Sequence, residues 1–107
     1  MTDGTYSFSS NTSEQTALTI TNTEITNIDS ILLDLNALTK NVTIKVYIKA
    51  DGTNYRLTDS FLWTPIDEDC VIINPIIHDS DIKITLQSIV AEGSSRSIPY
   101  SYVVEEI

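Results

Sequence analysis

The side chains in this sequence best suited to chemistry are carboxylates in two short loops. Asp67, Glu68 and Asp69 stand in "DEDC", and Asp79 and Asp81 in "HDSD". Calcium takes several oxygen ligands from loops, so two such loops at one end of a β-sandwich would suit that ion. The spacing matches no EF-hand and lacks its glycine, and solvated turn carboxylates account for the same residues. The reading is therefore no metal site and no cofactor, with these five residues as the calcium candidates. Cys70 and His78 are each the sole residue of their kind. A thiol–imidazole nucleophile would need them in contact with a third, orienting group, which nothing in the sequence indicates. Cys70 opens an apolar run and reads as a small buried hydrophobe. His78, beside Asp79 in a loop, reads as a surface residue. No nucleophile elbow, phosphate-binding glycine loop or zinc spacing occurs, so no catalytic residues are assigned and the chain reads as a non-enzyme.

Tyr47, Tyr55, Trp63, Tyr100 and Tyr102 form the other set with a chemical use, because aromatic faces stack on the apolar faces of sugars. Tyr55, Tyr100 and Tyr102 fall on expected core faces. Tyr47, between Lys45 and Lys49, is the aromatic expected to face outward. A carbohydrate-binding module, assisted by calcium at the acidic loops, is the alternative to a protein-binding role. "NTS" at Asn11 and "NVT" at Asn41 match the glycosylation acceptor, but no secretory signal is visible and both read as chance matches.

What must position these side chains is a β-sheet scaffold. The segment "KVYIKADGTNYRLTDSFLW", Lys45 to Trp63, alternates apolar and polar residues on both sides of Asp51-Gly52. Period two sends Val42, Ile44, Val46 and Ile48 to one face and Thr43, Lys45, Tyr47 and Lys49 to the other. "DG" between alternating runs signals a hairpin. A two-residue loop would set Ile48 opposite Tyr55 and Val46 opposite Leu57. A loop from Asp51 to Asn54 would shift the partners and keep the faces. Asp59 falls on the apolar face, where an unpaired carboxylate is costly. A β-bulge near Thr58-Asp59-Ser60, or the sandwich rim, is expected there, and the facing of Phe61, Leu62 and Trp63 stays open.

Further strands are expected over Gly4–Ser9, Gln15–Thr21, Ser30–Asn36, the run "CVIINPII" and Asp81–Ala91, and over Ser97–Glu105. Pro75 should end or bend its run or place it on an edge. Ile82, Ile84, Leu86 and Val90 should point inward, as should Ile98, Tyr100, Tyr102 and Val104. The single helical possibility is a turn at "NALTK", and a helix at residues 24 to 35 is the weaker alternative to a strand there. About eight short strands in 107 residues, rich in Thr, Ile, Ser and Val, make an all-β antiparallel sandwich of jelly-roll type. The whole chain, residues 1 to 107, reads as one domain, burying roughly 65% of its unfolded surface.

Six basic residues against fifteen acidic ones give a net charge of −9. Scattered cations do not make the basic patch that nucleic acid or an anionic membrane requires. One cysteine supports no disulfide framework, and no apolar run reaches the roughly 20 residues of a membrane helix. Proteins, copies of itself included, or sugars are the expected partners. Tyr47, Leu62, Ile89 and Val103 are apolar or amphipathic residues at outward positions and are the interface candidates for a homo-oligomer.

At "LTKNVTIKVYIKADGTNYRLTDSFLWTP", and again at "IPYSYVV", the chain resembles small β-sandwich proteins of tailed-phage and prophage virion structural modules. The resemblance covers residues 30 to 107. It implies a capsid decoration, head-fibre or tail accessory protein that works by contact with capsid or tail subunits, made in the host cytoplasm and located in the virion. It carries no active-site residues. Residues 1 to 25 lie outside it and are open to the reading of an arm that docks on a shell or neighbouring subunit.

Overall fold

Alternation between Val42 and Ile48 sorts as its chemistry demands: Val42, Ile44 and Val46 are buried, while Thr43, Lys45 and Tyr47 lie on the wetter face. The computed structural model describes residues 2–21, 26–49, 51–74, 77–78 and 81–106. These residues form nine strands: β1 (Thr2–Phe8), β2 (Gln15–Ile20), β3 (Thr26–Asp34), β4 (Val42–Ile48), β5 (Arg56–Trp63), β6 (Cys70–Ile73), β7 (Ile77–His78), β8 (Ile82–Ser88) and β9 (Arg96–Glu106). No helix occurs among them, so the helix at 24 to 35 is not realised and β3 covers most of that span; "NALTK" does hold a turn, closed by the Leu38 N–H on the Leu35 carbonyl.

All pairings are antiparallel. One sheet runs β1-β9-β3-β6, with β7 also on β3, and the other runs β2-β8-β4-β5. The pairing is nested: β1 with β9, β2 with β8, β3 with β6 and β7, and β4 with β5. The sheets face each other across one apolar layer. Phe8, Ile28, Ile31, Leu33 and Ile98 come from the first sheet, and Ile20, Ile44, Trp63, Ile82, Ile84 and Leu86 from the second. The all-β sandwich expected from the sequence is therefore the observed architecture.

Several expectations change. Residues 2–20 are not a separate arm: they supply β1 and β2, one strand at the margin of each sheet, and Phe8 is fully buried. The hairpin at Asp51-Gly52 is wider than a two-residue loop, because Ile48 pairs with Arg56 and Val46 with Asp59. Asp51 closes the turn instead, its Oδ1 accepting the backbone N–H of Thr53 and of Asn54, and Gly52 takes a positive φ of 77°. The expected bulge is present, with Thr58 as the extra residue between the pairs Tyr47–Leu57 and Val46–Asp59. It turns Leu57 and Tyr55 to the outer face, against the expectation for both. Phe61 and Trp63 turn inward, and Leu62 outward at 53% exposure.

Val90 is 55% exposed rather than inward, because β8 ends at Ser88 and the chain has already left the sheet. Val104 is likewise exposed near the end of β9. Cys70 is exposed, not buried: it pairs with Asp34 on the outer side of an edge strand. β6 does lie at an edge, as the run containing Pro75 suggests; Pro75 itself lies outside the described residues.

Candidate functional site

The two acidic loops do not converge. Asp67, Glu68 and Asp69 follow Trp63, which pairs with Val42, whereas Asp81 sits by Lys49 at the other end of β4. Six residues of strand separate Val42 from Ile48, about 20 Å at the usual rise per residue. Asp79 lies outside the described residues. The carboxylates have local work. Asp67 Oδ2 accepts the Thr64 N–H and hydroxyl, and Asp81 pairs with Lys49 at 3.6 Å. The Asp69 carbonyl accepts Leu35 N–H, and the Glu68 carbonyl accepts the Trp63 indole N–H at 2.8 Å. Among the described residues no three His, Cys, Asp or Glu side chains stand where they would hold a metal ion.

Cys70 and His78 are also apart. Both lie on strands paired to β3, but opposite Asp34 and Asn27 respectively, roughly 20 Å from one another along that strand. His78 is in β7 rather than in a loop.

The outer face of the second sheet carries the densest polar cluster. Lys45 and Tyr47 project from β4 and Lys49 follows its end, with Lys83 opposite Tyr47 on β8. The cations are thus less scattered than composition implies, yet each is matched. Lys45 lies 3.6 Å from Glu14. The Lys83 ammonium stands 4.7 Å from the Tyr47 ring centre and 4.9 Å from that of Tyr55, and Lys49 lies 4.9 Å from Tyr55. These are cation–π distances. Glu14 Oε2 accepts the Tyr47 hydroxyl at 2.6 Å and the Thr85 hydroxyl at 2.8 Å. Thr85, on an outward position, is buried by that carboxylate. A sugar ring stacking on Tyr47 or Tyr55 would compete with ammonium groups already on their faces, and the Tyr47 hydroxyl is already spent on Glu14.

The Tyr47 hydrogen bond, aided by Thr85 and Lys45, holds the Glu14 carboxyl below its ordinary 4.5; the same bond raises the Tyr47 phenol above 10.0. A depressed carboxyl stabilises the fold fully above 4.5, and that contribution fades as pH falls through the lowered folded-state value. A raised phenol stabilises fully below 10.0 and loses its contribution as pH rises through the raised value. Tyr47→Phe is expected to cost about 1 kcal/mol at neutral pH, reduced by solvent screening from a fully buried charged hydrogen bond. Urea midpoints of the two proteins, followed by Trp63 fluorescence, should converge at both acid and alkaline extremes.

The interface candidates lie on separate surfaces. Leu62 and Tyr47 are on the outer face of the second sheet and Val103 on that of the first, where it lines a shallow depression with Leu32 and Ile72. Ile89 is exposed in the turn after β8. A larger feature went unforeseen. Where β5 and β6 form the free margins of the two sheets, the sandwich stays open in two adjoining clefts of about 360 and 490 Å³. Phe61 and Ile72 line both. Two signals in the sequence mark this side: Asp59 interrupting an apolar face, and Pro75 relegating its run to an edge.

No protein-family model and no curated protein sequence matches the chain.

Proposed function

We propose that this chain is a non-enzymatic virion structural protein, a capsid decoration, head-fibre or tail accessory subunit that acts by protein–protein contact as a homo-oligomer. The observation that carries the protein-contact reading is the set of apolar side chains left in water along the β5–β6 margin; self-association is assigned to the candidates on other surfaces, Ile89 and Val103. Leu57, Leu62 and Ile72 are 55%, 53% and 65% exposed there, and Ile66 in the connecting loop is 94% exposed. Scattered exposed apolars are ordinary, but four of them on the two edge strands and the loop that joins them, beside an open cleft, fit a surface that a partner covers. The nested strand pairing supports a jelly-roll assignment, an architecture shared by viral capsid and lectin domains. The ammonium groups on Tyr47 and Tyr55 favour the first of these over the second. The distance between Cys70 and His78 likewise favours a binding role over catalysis.

Mass spectrometry of particles released by the source culture and banded on a density gradient tests the proposal. The chain should band with the particles at many copies each, and light scattering of the purified protein should give a mass above that of one chain. Its absence from the particles would overturn the virion reading, and a monomer at all concentrations would overturn the homo-oligomer.

A further inference from the structure

Between β5 and β6 the groove has an apolar floor and an acidic rim. Val46, Phe61, Ile72 and Ile73 line one stretch, with Asp59 at its edge. Trp63 and Val71 line the next, with Asp67 and Glu68 beside them. Among the described residues no Lys or Arg lines either stretch, although the chain has six. From this pairing of apolar floor and uniformly negative rim we infer that the groove receives a segment of a second, different protein in which an apolar side chain stands between basic ones. The inference rests on the protein-contact reading above and supplies the chemistry of the partner.

Charge complementarity selects that occupant. A buried apolar anchor provides most of the affinity at such surfaces, while rim charges choose the partner and speed its approach. A second copy of this chain is a poor match. It would bring another acidic groove and another net charge of −9 to the same place. The β5 margin is also shaped against pairing with itself: the Thr58 bulge breaks its ladder, and Asp59 points a carboxylate to the inner side of an edge strand. An acidic segment would meet Asp59, Asp67 and Glu68 with like charge. A basic one pairs with them while its apolar residue covers Phe61 and Ile72.

Trp63 is the only tryptophan in the chain and lines the groove, so its fluorescence reports occupancy. The probe is an N-acetylated, C-amidated octapeptide alternating valine and lysine, with valine–glutamate and serine–lysine octapeptides as controls. Only the valine–lysine peptide should give a saturable change. Asp59→Lys should weaken it about tenfold, the loss of roughly 1.4 kcal/mol at a charged rim. Ile72→Lys should abolish it. Both positions are exposed, and unaltered urea midpoints will show that the variants fold. Equal binding of the valine–glutamate or serine–lysine peptide, or no response to any of the three, overturns the inference. So does conversion of an oligomer to a monomer by Ile72→Lys, which would make the occupant a second copy. Particle association without peptide binding removes the groove assignment alone. Peptide binding without particle association removes the virion reading alone.

Discussion

Glu92→Ala should destabilise the protein by about 3–5 kcal/mol, the range for stripping one partner from a buried charged network. The side chain of Glu92 is wholly buried in the loop between β8 and β9. Its two oxygens accept the Thr39 N–H, the Thr39 hydroxyl and the Lys40 N–H at 2.8 to 3.2 Å. Arg96 Nε lies 3.4 Å from Oε1, and its guanidinium reaches back to the Glu92 carbonyl. One carboxylate thus fastens the β8–β9 loop to the β3–β4 loop, which also buries Leu38. Alanine leaves backbone donors without acceptors in a site that water reaches poorly, at about 1–3 kcal/mol for each unsatisfied group. Glu92→Gln keeps the shape but turns an amide NH₂ toward one of those donors, so an intermediate loss is expected. Trp63 is almost fully buried, and urea titrations read from its fluorescence will rank the three proteins. A midpoint for Glu92→Ala within error of wild type would contradict the role given to this carboxylate.

Glu92 also shows where the sequence falls silent. Alternation is a local property, and where a strand is paired on both sides it reads out the core correctly. Ile82, Ile84 and Leu86 on β8 and Val42, Ile44 and Val46 on β4 all face inward as their spacing implies. The same reasoning misplaces Tyr55 and Leu57, because one additional residue at Thr58 reverses every position before it. Asp59 announced that bulge; its consequence for the residues upstream was not legible. Cys70 and Val90 fail for a related reason: an edge strand and a post-strand turn leave apolar residues wet where a central strand would bury them. Contacts between distant segments leave no periodic trace at all. Glu92 stands 53 residues from Thr39, and Glu14 71 residues from Thr85. The β5–β6 groove depends on the parting of two sheets, so only its separate margins were visible, as a misplaced carboxylate and a proline.

Phe8→Ala should cost about 3–5 kcal/mol, and deletion of residues 2–8 should prevent folding altogether. The two outcomes separate an integral strand from a docking arm, whose loss would leave the domain's stability unchanged. β1 pairs with β9 along its whole length, from Thr2 opposite Tyr102 to Phe8 opposite Arg96. Its inner face closes the core beside Ile98 with Tyr6 and Phe8, the latter fully buried. The turn that follows is set by Gln15, whose side-chain carbonyl accepts the Tyr6 hydroxyl and the Ser9 N–H while its amide donates to the Ser9 carbonyl. Gly4 lets the Tyr100 ring lie across the strand, where a Cβ would collide with the ring. Truncation would strip one edge of β9 of its hydrogen-bond partners and open Ile98 to water. A domain of this size has about 5–15 kcal/mol of stability to lose, so the phenylalanine alone removes a large share. Calorimetry of Phe8→Ala and circular dichroism of the truncated chain will measure both effects. Cooperative melting of the truncated chain near the wild-type temperature would return residues 2–8 to the role of an arm.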